Sequence, residues 1–183
     1  MTTASKVTIL RILLIPLFMG VLLLGGAHSQ LIGLAIFILA GATDVVDGYI
    51  ARKYDQTTNF GRFMDPLADK LLMVSAMLIF VQWGRMPAWV LMVVLAREFA
   101  VSGLRMMAAS SGTVIAAGVS GKIKTLVTFI GICFMLTPLH DWAIVGGVTV
   151  DLIAVGAILV TTVYSGVEYF VQNGRVLIEG AGE

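Results

Sequence analysis

Charge is what this sequence has least of. Only 13% of its 183 residues are Asp, Glu, Lys or Arg, against ~25% in an ordinary soluble domain. Hydrophobic residues make up 58%, and the mean hydropathy is +0.97. So little polar surface excludes a water-soluble globule, and so much apolar sequence excludes a disordered chain. An integral membrane protein remains. There is one cysteine, Cys133, which cannot close an internal disulfide and so says nothing of the redox compartment. The two histidines, His28 and His140, fall in turns between apolar runs, far from most of the charge, and read as ordinary loop residues. A net charge of +1 argues against a nucleic-acid polymer as partner. Long linkers, charge runs and internal repeats are also missing, so residues 1–183 read as one domain.

What is there is a series of apolar runs. A spanning helix needs ~20 mostly apolar residues, and six stretches qualify, near 7–26, 31–52, 62–82, 87–108, 122–139 and 150–171. The expected fold is an all-α membrane protein of six transmembrane helices. The runs are continuous, which argues against a β-barrel. The first run is too long for a signal peptide and lacks a small-residue cleavage site. Ten of the twelve Lys and Arg residues cluster at span ends assigned to one side. Arg85 stands alone opposite, and Arg97 lies inside a span. By the positive-inside rule both termini and the connections at 53–61 and 109–121 face the cytoplasm.

The scarce charge is unevenly spread. Nine of the 23 charged residues fall between Asp44 and Lys70, at the cytoplasmic ends of spans two and three. Asp44 lies ~12 Å deeper than Arg52 at the helical rise. A carboxylate at mid-membrane costs ~2.5–3.5 kcal/mol even on the lenient insertion scale, so it needs a partner. Asp44, Asp47, Gly48 and Ala51 share one helix face, and Gly61, Asp65 and Asp69 share another. Spans two and three are joined by a short connection and run antiparallel, so four carboxylates can converge. Together they repel unless compensated. Two divalent ions would neutralise them, and an all-oxygen site suits Mg²⁺ or Mn²⁺. The small residues on the same faces leave room for a bulky polar ligand. Any one of these acids could be a structural hydrogen-bonder, or a partner of Arg52 or Arg62, and any one glycine a packing contact. Four acids on two facing stripes with small residues beside them fit a metal site better.

These residues read Asp44-x2-Asp47-Gly48-x2-Ala51-Arg52-x8-Gly61-x3-Asp65-x3-Asp69. The pattern resembles the signature of the CDP-alcohol phosphotransferases, with all eight fixed positions in spacing. The resemblance implies a six-helix bundle of that family. It also implies metal-dependent transfer of a phosphatidyl group from a CDP-lipid to an alcohol, releasing CMP. It makes Asp44, Asp47 and Asp65 metal ligands. Asp69 becomes the catalytic base and a further ligand, and Asp47, Gly48, Ala51, Arg52 and Gly61 become the nucleotide site. A homodimer in a bacterial-type inner (cytoplasmic) membrane, with lipid around it, is implied as well. The small residues Ser75, Ala76, Ser102, Gly103 and Gly131 fit helix–helix contacts of such a dimer.

The acceptor alcohol is argued from other residues. Span four carries Arg97 near the membrane midplane, followed by Glu98 and Arg105. Span five opens with Gly121-Lys122-Ile123-Lys124-Thr125. Arg97, Arg105, Lys122 and Lys124 can form a site for a phosphate on the acceptor. The lysines also suit plain topology marking. Adjacent helical residues point ~100° apart, so Arg97 and Glu98 are not expected to pair face to face. The run from Arg97 to Arg105, the Gly121–Thr125 segment and Thr8-x2-Arg11-x4-Pro16 are similar to the glycerol-phosphate branch of the family. That branch implies sn-glycerol 3-phosphate as acceptor, CDP-diacylglycerol as donor and phosphatidylglycerol phosphate as product. Thr128 stands where that branch has Gln, and Thr2-Thr3-Ala4 where it has Asn-Ile-Pro. The same chemistry with inositol phosphate, serine or phosphatidylglycerol is the alternative. A divalent-cation transporter fits less well, because the acids gather at one end rather than crossing the bilayer.

Overall fold

Without water to bond exposed amides, an apolar run must satisfy its own backbone, and the α-helix does so within one segment. The computed structural model describes the backbone of residues 3–53, 59–110, 115, 118–145 and 147–174. Side chains are described over the same ranges except at 3–8, 44–53, 59–63, 65, 144 and 145. Six helices are present among the described residues: α1 (Thr3–Leu24), α2 (Ser29–Lys53), α3 (Asn59–Gln82), α4 (Ala88–Ser110), α5 (Val119–Met135) and α6 (Val150–Asn173). Their order and positions follow the six apolar runs. The α1–α2 turn contains Gly25 at φ +72°, and the turn after α3 contains Gly84 at φ +70°, a backbone region where a Cβ is strained.

Two boundaries differ from expectation. α5 stops at Met135 rather than near residue 139, and Pro138 in the following turn has no N–H with which to continue a helix. Between α5 and α6 the chain also forms a short antiparallel hairpin, β1 (Ala143–Val145) and β2 (Val148–Thr149), pairing Ala143 with Thr149. Strand-forming residues flank Gly147 at φ +85°, a hairpin signal that the all-α reading passed over. Thr149 then caps α6, its hydroxyl accepting from the Leu152 N–H at 3.3 Å.

The core is aromatic and aliphatic. α1 packs on α2 and α3, α5 on α6, and α4 on α6. Phe18, Phe37, Leu72, Phe80, Ile132, Met135 and Ile158 are fully enclosed. Phe37 stacks on Phe129 at 5.0 Å, and the edge of Phe129 lies against Gly41, where a Cβ would come within 2.5 Å of the ring. α2 and α5 thus meet at near backbone distance. Large apolar side chains cover the outer faces, among them Leu13, Leu39, Met92, Phe99, Val160 and Val171. So much outward apolar surface is unusual for a soluble monomer, which rarely exposes more than a few hundred Å² in one patch. Among the described residues, α6 alone is long and apolar enough to cross a bilayer by that measure. α1 and α2 contribute the shorter stretches Ile9–Leu24 and Ser29–Thr43, while α3 and α4 carry the charges of the polar end.

The small residues expected at a dimer face are mostly used within the chain. The Ser75 hydroxyl donates to the Leu71 carbonyl, and Ala76 is fully buried. Ser102 accepts from Lys70, and Gly131 lies against Ile158. A Cβ at Gly103 would meet nothing within 4 Å.

The side opposite the charge cluster holds an ion pair absent from the sequence reading. Arg85 grips Asp151 with two bonds, Nε to Oδ2 at 2.7 Å and Nη2 to Oδ1 at 2.9 Å. Its Nη2 also donates to the Met135 carbonyl, one of the orphan acceptors at the end of α5. The guanidinium lies over the Phe80 and Trp83 rings. His140, read as an ordinary loop residue, has Nδ1 3.5 Å from the same Asp151 oxygen. This latch joins the α3–α4 turn to the ends of α5 and α6.

Candidate functional site: a charged cavity between α3, α4 and α5

A cavity of about 650 Å³ opens between α3, α4 and α5, with Gly41 of α2 at its edge. Its apolar wall includes Met73, Met77, Val94 and Phe129. Seven ionisable residues border it: Asp69 and Lys70 from α3, Arg97, Glu98 and Arg105 from α4, and Lys122 and Lys124 from α5. Five cations against two anions make a positive pocket within an apolar bundle. Low-dielectric walls focus such a field and favour an anionic ligand.

Glu98 organises the centre of this charge. Its Oε1 accepts from Lys124 Nζ at 2.6 Å and from Arg97 Nη1 at 2.9 Å. Its Oε2 lies 3.5 Å from Lys70 Nζ, which donates to Ser102 Oγ at 2.8 Å. Lys124 is buried and Arg97 nearly so, so these charges are far more tightly held than surface pairs. Arg97 and Glu98 therefore do pair, contrary to the expectation from helical angle. Both side chains are long enough to bend around the helix and meet off-axis.

Arg97 runs between two glycines. A Cβ at Gly166 of α6 would come within 3.2 Å of its Cγ, and one at Gly121 of α5 within 3.4 Å of Nη2. Its Nε is buried with no hydrogen-bond partner among the described residues. Arg105 donates from Nε to the Tyr169 hydroxyl at 3.1 Å and lies over that ring at 5.4 Å. α6 thus anchors the second arginine. Lys122 is exposed at the cavity mouth. α5 begins beside it at Gly118, whose N-cap position supplies no side-chain bond. Its first N–H groups and the positive end of its dipole add to the attraction for an anion.

All four cations expected to bind an acceptor phosphate therefore border one cavity, and Asp69 borders it too. The side chains of Asp44, Asp47, Gly48, Ala51, Arg52, Gly61 and Asp65 lie outside the described residues. The backbone carries Asp44 and Asp47 on the last turns of α2 and Asp65 and Asp69 in the first half of α3. The two helices pack on each other. Among the described residues no group of three or more His, Cys, Asp or Glu is arranged to hold a metal. Three of the four acids at issue are not among them. Pro66, between Asp65 and Asp69, sits inside α3 and lines the cavity.

Two residues of this cavity escaped the sequence reading. Lys70 counts there as one of the clustered span-end charges and Glu98 as a neighbour of Arg97, neither as a site residue. Helical spacing carried a signal for both. Glu98, Ser102 and Arg105 stand at i, i+4 and i+7, and Lys70, Met73, Val74 and Met77 at i, i+3, i+4 and i+7, so one face of each helix turns to the cavity.

The chain matches the CDP-alcohol phosphatidyltransferase family over residues 1–166. It is 43% identical to the CDP-diacylglycerol–glycerol-3-phosphate 3-phosphatidyltransferase of Bacillus subtilis strain 168, over 94% of this chain and 95% of that protein. Proteins of the same name from Haemophilus influenzae and Salmonella typhi are 35% and 33% identical, over 93% and 90% of this chain and 92% and 91% of their own lengths. A match of this extent settles membership: the chain belongs to the CDP-alcohol phosphatidyltransferase family.

Proposed function

We propose that this chain is a membrane enzyme that transfers the phosphatidyl group of CDP-diacylglycerol to sn-glycerol 3-phosphate, giving phosphatidylglycerol phosphate and CMP. The names of relatives covering almost the whole chain support this reading. The observation that carries it is the cavity, where a carboxylate, Asp69, and five cations border one space. That combination suits an acceptor with a hydroxyl to deprotonate at one end and a phosphate to hold at the other.

In this reading Arg97, Arg105, Lys122 and Lys124 bind the acceptor's phosphate and orient its free primary hydroxyl toward the donor. Asp69 takes the hydroxyl proton as the oxygen attacks the phosphatidyl phosphorus. The new P–O bond forms as the bond to CMP breaks. Asp47, Gly48, Ala51, Arg52 and Gly61 would line the nucleotide end. The oxygen-only donor set on the packed faces of α2 and α3 fits two hard divalent ions, Mg²⁺ or Mn²⁺, held by Asp44, Asp47, Asp65 and Asp69. When bound, such ions polarise the pyrophosphate and stabilise the charge on departing CMP. The apolar outer faces support six membrane-spanning helices forming a single domain. Lysine and arginine placement supports both termini and the cavity facing the cytoplasm, in a bacterial inner membrane. Glycerol phosphate and CMP would then exchange with the cytoplasm while both lipids stay in the bilayer. A homodimer remains part of the reading by family likeness.

Purified protein should convert labelled glycerol 3-phosphate into lipid-soluble label when given CDP-diacylglycerol and Mg²⁺ or Mn²⁺. Chelation should abolish the conversion, and either ion should restore it. Label transfer without CDP-diacylglycerol, or a clear preference for serine, inositol phosphate or phosphatidylglycerol in an acceptor panel, would overturn the reading. Within it, Arg97→Ala or Lys124→Ala should raise the KM for glycerol phosphate by about tenfold or more, the loss of one charge-assisted contact. The KM for CDP-diacylglycerol should change far less. Equal effects on both substrates would remove these residues from the acceptor site.

A further inference from the structure

Resting on that reading, we propose that Glu98 is a positioning residue. Its carboxylate gathers Lys70, Arg97 and Lys124 from three helices into a preformed cationic wall. Its single negative charge leaves that wall with the surplus that selects a doubly ionised phosphate over an uncharged alcohol.

The argument is one of number and geometry. Neutralising one misplaced arginine needs one carboxylate contact. Glu98 instead serves three cations with two oxygens, at 2.6 and 2.9 Å on Oε1 and 3.5 Å on Oε2. Three positive charges on one side of a cavity repel, and without a shared anion their side chains would splay toward solvent or the cavity mouth. Holding them together is an ordering cost met on folding instead of on binding, which is how preorganised sites gain affinity. Three cations against one carboxylate leave this wall a surplus of positive charge, to which Arg105 and Lys122 of the same cavity add, and a phosphate dianion suits it better than an uncharged alcohol. Donors remain for the phosphate. Arg97 Nε has no partner among the described residues, and Lys124 gives Glu98 one of its three N–H bonds. Lys70 is also fixed by the hydrogen bond that its Nζ donates to Ser102 Oγ.

The test uses the purified full chain in mixed micelles, with each substrate varied in turn. Glu98→Gln keeps the shape and removes the charge. Its KM for glycerol phosphate should rise about tenfold, while the KM for CDP-diacylglycerol stays within about twofold. Its preference for glycerol 3-phosphate over glycerol should fall in step. A merely structural role would disturb both substrates alike, and that outcome overturns the proposal. A lower acceptor KM also overturns it, since Glu98 would then be only a competitor of the phosphate. If Glu98→Gln does not accumulate, Lys70→Met serves, because that side chain is 41% exposed. It should raise the acceptor KM alone, by about threefold, and an unchanged KM overturns the proposal. Wild-type protein that makes no lipid from glycerol phosphate would instead remove the functional reading itself.

Discussion

Asp69→Asn is expected to lower kcat by about 10²- to 10⁴-fold, the usual range for a lost general base. The KM for glycerol phosphate should hardly move. Asn keeps the size and one carbonyl oxygen of Asp but has no basic site. It can hold its place beside Lys70 at the cavity edge, yet it cannot take the hydroxyl proton. The cations that bind the acceptor stand on α4 and α5 and are untouched, so the loss falls on turnover. Titrating Mg²⁺ and Mn²⁺ against the variant separates the two jobs given to Asp69. If metal binding is also weakened, the metal concentration for half-maximal activity rises, and saturation still leaves kcat low. Turnover within about threefold of wild type at saturating metal would take the base role away from Asp69. Asp65→Asn, expected to act through the metals alone, should recover in part as the ion is raised.

The second large effect lies at the opposite end. Arg85→Met should destabilise the fold by about 3–5 kcal/mol, the cost of leaving a buried charge without its partner. Here the orphan is Asp151, whose side chain is 13% exposed. The substitution also strips a donor from the Met135 carbonyl and a cation from the Phe80 and Trp83 rings. The double change Arg85→Met with Asp151→Leu should regain much of the loss, because a buried pair replaced as a unit is often neutral. Thermal unfolding in one detergent reads both. A single variant melting with wild type, or a double variant no better than the single, would show that the latch carries no stability. Residual activity per folded molecule should be near normal, since none of these groups borders the cavity.

The helices were legible in the sequence because the membrane leaves few choices. An apolar run of twenty residues must be helical, and turn residues such as Gly25 and Gly84 mark where it ends. The hairpin at 143–149 is too short for periodicity to register, and its signal lies instead in the glycines between strand-forming residues. The carboxylate pattern on α2 and α3 was legible from spacing alone, since i+3 and i+4 positions share a face whatever the neighbours do. The cavity was legible only in pieces. Arg97, Arg105, Lys122 and Lys124 stood out as costly or clustered cations, but spacing within one helix does not say which helices meet. Glu98 shows the limit most clearly. Its angle relative to Arg97 argued against pairing, while its true partners, Lys124 and Lys70, are 26 and 28 residues away. Arg85 and Asp151 are a similar case. Arg85 stood out as a lone cation, but nothing in helical spacing names Asp151, 66 residues away, as its partner.

Gly41 has a consequence for how much change the molecule tolerates. It stands three residues before Asp44, and its missing side chain lets α2 rest on the Phe129 ring. That ring stacks on Phe37 and also borders the cavity. An added methyl group would have to part the two helices or turn the ring into the cavity, and a misplacement of about 1 Å can cost ~10²-fold in rate. The spacing of the acidic end is therefore gauged by a residue that has no side chain and plays no part in the chemistry. Change at this position meets a mechanical tolerance, where change at the aspartates meets a requirement of charge.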